Sequence, residues 1–151
     1  MYLVDTNIIS EARKKTKANS GVQTFFRQAT EDGSRMFISV VTVGELRRGV
    51  ELIRHRSDTP QAAQLESWLD LLLTDYQDHI LDINPDIAQL WGRLRVPHPE
   101  NALDKLIAAT ALIHDLTVVT RNHKDFKTTG VRLLNPFCSS EEEQVLQSFH
   151  Q

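Results

Sequence analysis

The chain has 151 residues, 40% of them hydrophobic, and a formal net charge of −3. That length suits one well-buried core and leaves no room for two ordinary domains, and the slightly negative balance gives no global electrostatic signal for nucleic acid. The single cysteine, Cys138, excludes an intrachain disulfide and a cysteine-based zinc cluster. No apolar run approaches the roughly 20 residues of a membrane helix and Met1 leads into no charged-then-apolar signal pattern, so a cytoplasmic protein without a membrane is expected.

In chain order, Tyr2-Leu3-Val4 is short and β-prone, and Asp5-Thr6-Asn7 supplies polar residues that end a strand and cap a helix. Phe37-Ile38-Ser39-Val40-Val41 repeats the arrangement, with Thr42-x-x-Glu45 matching a capping box that opens a helix running to about Arg56. Thr59-Pro60 pairs a cap with a first-turn proline, and Leu65, Leu69, Leu72, Leu73 and Tyr76 follow at helical spacing. Ile80-Leu81-Asp82-Ile83 reads as a strand, and Asn84-Pro85 starts a helix carrying Ile87, Leu90, Trp91 and Leu94 that Pro97 and Pro99 stop.

Asn101-x-x-Asp104 opens the next helix, with Leu103, Leu106, Ile107, Thr110 and Ala111 on one face. Thr117-Val118-Val119-Thr120 and Val131-Arg132-Leu133-Leu134 read as the last strands, the latter closed by Asn135-Pro136. Strands separated by helices require crossovers, which gives an α/β fold: a three-layer α/β/α sandwich around a mostly parallel sheet of about five strands. Beyond it, residues 138–151 form an acidic tail in which Glu141, Glu142 and Glu143 precede Val145, Leu146 and Phe149, a pattern compatible with a short helix.

Four acids share one address in this layout. Asp5 follows the first strand, Glu45 and Asp104 lie in early helical turns, and Asp125 comes just after the strand ending at Thr120. In an open parallel sheet the carboxyl ends of strands and the amino ends of the following helices meet at one edge, where ligands bind. Each acid also has an ordinary explanation: Asp5 as a helix cap, Glu45 and Asp104 as capping-box members, Asp125 as a turn residue. Their conjunction points instead to a hard-cation site, because gathered carboxylates repel unless Mg2+ or Mn2+ neutralises them. Such a site suits phosphodiester hydrolysis.

These segments resemble a known family. Val4-Asp5-Thr6-Asn7-Ile8-Ile9-Ser10-Glu11, Ser39-Val40-Val41-Thr42-Val43-Gly44-Glu45-Leu46, Asp104-x-x-Ile107-Ala108-Ala109-Thr110-Ala111 and Val119-Thr120-Arg121-Asn122-x-x-Asp125-Phe126 are similar to successive signatures of PIN-domain VapC and FitB proteins. They run in family order through residues 1–137, which defines the expected PIN domain. The resemblance implies a magnesium-dependent endoribonuclease, the toxin of a type II toxin–antitoxin pair, with Asp5 and Asp104 as principal metal ligands and Glu45 and Asp125 completing the acidic pocket. It further implies that Thr6 and Asn7 orient Asp5 or a metal-bound water, that Asn122 shapes the fourth corner, and that a small DNA-binding antitoxin and a homodimer are the partners. Val96-Pro97-His98-Pro99-Glu100-Asn101 departs from the family pattern, being short and proline-bound where many relatives carry a more open loop.

Basic residues cluster at Arg13, Lys14, Lys15 and Lys17, at Arg54, His55 and Arg56, and near the acids. Arg121 and Lys124 are the first candidates for RNA phosphate contacts, with Arg47 and Arg48 after them. Trp68 and Trp91 fall at apolar helical positions and are expected to pack, and the six histidines lack zinc-ligand spacing. A haloacid-dehalogenase-type phosphatase would need an aspartate where Asn7 stands, and a receiver domain would need adjacent acids near the first strand. No Gly-rich phosphate loop or Gly-x-Ser-x-Gly elbow occurs. The remaining alternative is a non-catalytic PIN domain that partners a DNA-binding antitoxin in transcriptional regulation.

Overall fold

A computed structural model describes residues 1–137, so the acidic tail and Cys138 lie outside the described residues. The strands are β1 (Tyr2–Val4), β2 (Met36–Ser39), β3 (Ile80–Leu81), β4 (Thr117–Val119) and β5 (Leu133–Leu134). The helices are α1 (Thr6–Ala12), α2 (Ser20–Glu31), α3 (Val40–His55), α4 (Thr59–Asp75), α5 (Pro85–Leu94), α6 (Ala102–His114) and α7 (His123–Phe126). Every strand pairing is parallel, in the order β3-β2-β1-β4-β5. The three-layer parallel architecture expected from the sequence is the one observed.

Side-chain alternation along the short strands divides the core in two. Val4 and Val119 point into the layer built by α1 to α4, with Ile8, Phe25, Val50 and Leu69. Leu3 and Val118 point the other way, against Ile107, Ala108 and Ala111 of α6 and Phe126 of α7. The register sets Val4 opposite Val119. The chain leaves β1 toward β2 on one side and returns to β4 on the other, so the switch in strand order falls between β1 and β4. A crevice outside the carboxyl ends is expected at such a point.

Several boundaries differ from the sequence expectation, each for a local reason. Helix α2 was not anticipated, although Asn19 caps it by accepting from the Gly21 and Val22 amides and buries Val22, Phe25 and Ala29 at helical spacing. Helix α3 begins at Val40, not at the proposed Thr42 box, because the Ser39 side chain accepts from the Val41 amide and turns the two valines into the first helical turn. Asp58, not Thr59, caps α4. Strand β3 stops after Leu81, β4 stops before Thr120 and β5 is reduced to Leu133–Leu134. Asn101 does precede α6, but in the left-handed region (φ 56°) and without a capping hydrogen bond from its side chain.

Candidate active site

The first residue past β1 is the centre of the hydrogen-bond network. Asp5 is only 4% exposed. Its Oδ1 accepts from the Thr6 amide at 2.8 Å, and its Oδ2 accepts from Thr120 Oγ1 at 2.8 Å and from Asn7 Nδ2 at 3.3 Å. Burial pushes the Asp5 carboxyl above its ordinary range, an effect that the Thr120 and Thr6 donors partly offset. Asn7 is shared: its Nδ2 also reaches Thr120 Oγ1 at 3.3 Å, and its Oδ1 accepts from the Arg121 amide at 3.2 Å.

Glu45 lies in the second turn of α3, too far from the helix start to cap it. Thr6 Oγ1 donates to Glu45 Oε1 at 2.9 Å and stands 3.2 Å from the buried Thr42 Oγ1. Thr6 therefore joins two acids, its amide on Asp5 and its hydroxyl on Glu45. Burial raises the Glu45 carboxyl, the Thr6 hydroxyl lowers it, and the Asp5 charge raises it again.

Asp104, in the first turn of α6, is half-buried and makes no side-chain hydrogen bond among the described residues. The capping-box explanation for it fails, since the Asn101 side chain caps nothing. Its carboxyl is pushed up to about 6, first by burial and then by the charges of Asp5, Asp125 and Glu45. One side chain thus senses the other three acids. Asp125 sits within α7, beside the buried Phe126 that anchors this helix.

Among the described residues no three histidine, cysteine, aspartate or glutamate side chains close into a cage for a metal ion. The donor set instead fits an open site for a small hard cation, in which a few carboxylates act with water and substrate oxygens. Buried carboxyls that raise one another are what a divalent cation would relieve. Beside Thr6 and Glu45 a cavity of about 180 Å3 runs between α1, α3 and α4 past Arg13, Gly49 and Trp68. A larger depression of about 440 Å3 lies on the outer side of α3, at Arg48 and His55, and is lined by none of the four acids.

The basic candidates divide in two. Arg121 stacks over Phe137 at 4.5 Å, and Lys124 is exposed with no ion pair among the described residues. Arg47 is held by Glu66 at 2.6 Å and by Glu51 at 3.7 Å, in a network that Arg54 shares. Arg48 is exposed. The Asn122 side chain makes no cap hydrogen bond, and the Asn122 contribution is a backbone amide donated to Thr120 Oγ1 at 3.0 Å. Thr120 has no role in the sequence reading, and Thr42, expected there as a cap, instead meets Thr6. The available signal for Thr120 was a lone hydroxyl at a strand's carboxyl end, next to the polar Arg121-Asn122 pair.

The PIN domain family model matches residues 2–131. The chain belongs to the PIN-domain family. It is 32% identical over 143 residues to Toxin FitB of Neisseria gonorrhoeae, a match spanning 91% of this chain and 99% of the relative. It is 28% identical over 141 residues to VapC ribonuclease Y4jK of Sinorhizobium fredii, across 91% of this chain and 98% of that one. Among solved structures, FitAB bound to an IR36 DNA fragment superposes with a TM-score of 0.77 at 28% identity, covering 93% of this chain and 98% of that chain. No helix among the described residues of this PIN domain is long and apolar enough to cross a membrane.

Proposed function

We propose that this PIN domain is a divalent-metal-dependent endoribonuclease and the toxin of a type II toxin–antitoxin pair. The observation that carries the reading is Asp104, a helix-start acid without a capping role whose carboxyl is raised to about 6 by burial and by the three other acids. Asp5 and Asp104 hold the ion, Mg2+ or Mn2+, while Glu45 and Asp125 complete the pocket. When bound, the cation lowers the pKa of an attacking water and stabilises charge on the phosphoryl oxygens. Thr120, Asn7 and the Thr6 amide fix the Asp5 carboxylate, and the Thr6 hydroxyl fixes Glu45. Arg121 and Lys124 flank the pocket and take RNA phosphates.

The relatives' names support the chemistry and the pairing. One is a VapC ribonuclease, and FitAB is solved on DNA. By that likeness the partner of this chain is a small DNA-binding antitoxin, the toxin acts as a homodimer, and residues 1–137 are the working domain. The DNA-bound neighbour also supports the second reading, a role in transcriptional regulation as a complex. Thermal unfolding with and without Mn2+ separates the two. The nuclease reading expects a metal-dependent rise in melting temperature that disappears in Asp104→Asn, and a purely regulatory domain expects none.

A further inference from the structure

Next to Asp104 in α6 stands Lys105, which is 2% exposed and which the carboxylate chemistry does not use. Its Nζ donates to the carbonyl oxygen of His98, and no carboxylate lies within ion-pair distance of it among the described residues. Burying a lysine nitrogen without an acceptor is costly, and an apolar side chain would fill an interior helix position more cheaply. The His98 carbonyl is what makes lysine useful there.

That carbonyl belongs to the proline-bound Val96–Asn101 connection between α5 and α6. The same connection is tied at one further point, Pro99, and α5 also reaches across it to the first residue of α6. Arg95 stacks over Trp91 at 4.7 Å and its Nε donates to the Pro99 carbonyl at 3.3 Å, while Trp91 Nε1 donates to the Ala102 carbonyl at 2.9 Å. Both of those ties come from α5 or its end. The Lys105 tie runs instead from α6 to the connection, one residue from the Asp104 carboxylate.

We infer that Lys105 is a positioning residue, latching the Val96–Asn101 connection onto the first turn of α6 and thereby fixing the Asp104 carboxylate for its cation. The inference deepens the metal-dependent reading and rests on it. Adjacent residues on one helical turn move together, so a loosened connection lets the α6 start fray and the carboxylate wander. Asn101 adds no cap hydrogen bond from its side chain to resist this. Groups that orient metal ligands without touching the metal are worth tenfold or more in affinity.

The test compares Lys105→Met with wild type and with Val22→Ala, a core truncation in the opposite layer that serves as a stability control. Two quantities are read: amide hydrogen exchange over the first hydrogen-bonded turn of α6, Lys105 to Ala108, in metal-free protein, and Mn2+ affinity by calorimetry. Lys105→Met is expected to speed that local exchange about tenfold and to weaken Mn2+ binding about tenfold, with Val22→Ala changing neither. Should Lys105→Met not fold, Arg95→Met loosens the same connection from its accessible side and is expected to shift both quantities in the same direction. Wild-type exchange or wild-type affinity in the loosened variants overturns the inference, as does an equal loss in Val22→Ala. A wild-type protein that binds no Mn2+ refutes the metal reading itself, and the exchange comparison then still decides the latch.

Discussion

Thr120 Oγ1 donates to Asp5 Oδ2 at 2.8 Å and so ties the carboxyl ends of β4 and β1 together across the switch in strand order. Thr120 is fully buried, and its hydroxyl oxygen accepts in turn from the Asn122 amide. Thr120→Val keeps the shape and removes both roles. It is expected to cost about 1–2 kcal/mol in urea unfolding, the penalty for leaving a buried polar group short of a partner, and to raise the Asp5 carboxyl further. Wild-type stability would show that the bond is incidental.

Asp104 makes the metal-free protein's stability depend on pH in a defined direction. Its carboxyl is raised from 3.8 to about 6, so the folded state favours the protonated form. The stabilisation is therefore complete below about pH 4 and is lost as pH rises through about 6, with Asp5 and Glu45 shifted in the same sense. The melting temperature in chelator should fall over that interval. Asp104→Asn should flatten the dependence and stabilise the metal-free protein at pH 7.5 by about 1 kcal/mol, after discounting for solvent screening of a half-buried group. A melting temperature that rises from pH 5 to 7 would contradict this.

Thr6 and Glu45 form the second bridge between acids. A double-mutant cycle with Thr6→Val and Glu45→Ala, read by chemical denaturation, should give a coupling of about 1 kcal/mol. A coupling near zero would mean that the Glu45 position is set by α3 packing alone.

The basic side chains near the pocket should not behave alike. Lys124→Ala is expected to weaken RNA binding and to reduce its salt slope by about one, because that amine is uncommitted. Arg47→Ala should leave RNA binding nearly unchanged and lower stability by less than about 1 kcal/mol, since its partner is Glu66 at an exposed helix seam. Filter binding over a salt series distinguishes them.

Much of this was legible in the sequence because strand-then-polar-then-helix punctuation marks the carboxyl edge of a parallel sheet. Asp5, Glu45, Asp104 and Asp125 were all placed at that edge from spacing, and the side-chain electrostatics bring them within reach of one another. The capping boxes misled. Thr42-x-x-Glu45 and Asn101-x-x-Asp104 fit the pattern, but the α3 cap is the earlier Ser39 and the left-handed Asn101 makes no side-chain cap, so neither acid belongs to a capping box. Partners set by the third dimension were not readable: Thr120 meets Asp5 because β4 pairs with β1, and Arg47 meets Glu66 because α3 packs on α4. Helix α2 had a readable cap and period in Asn19 and in Val22, Phe25 and Ala29.

The central claim is tested most directly by incubating purified, antitoxin-free protein with total RNA in Mg2+, in Mn2+ and in chelator, beside Asp5→Asn and Asp104→Asn proteins shown to be folded. Cleavage in either metal, absent in chelator and lost in both variants, is the expected result. Cleavage that persists in chelator, or in both variants, would contradict the assignment of these carboxylates to a metal-dependent nuclease, and no cleavage with any metal would favour the regulatory reading.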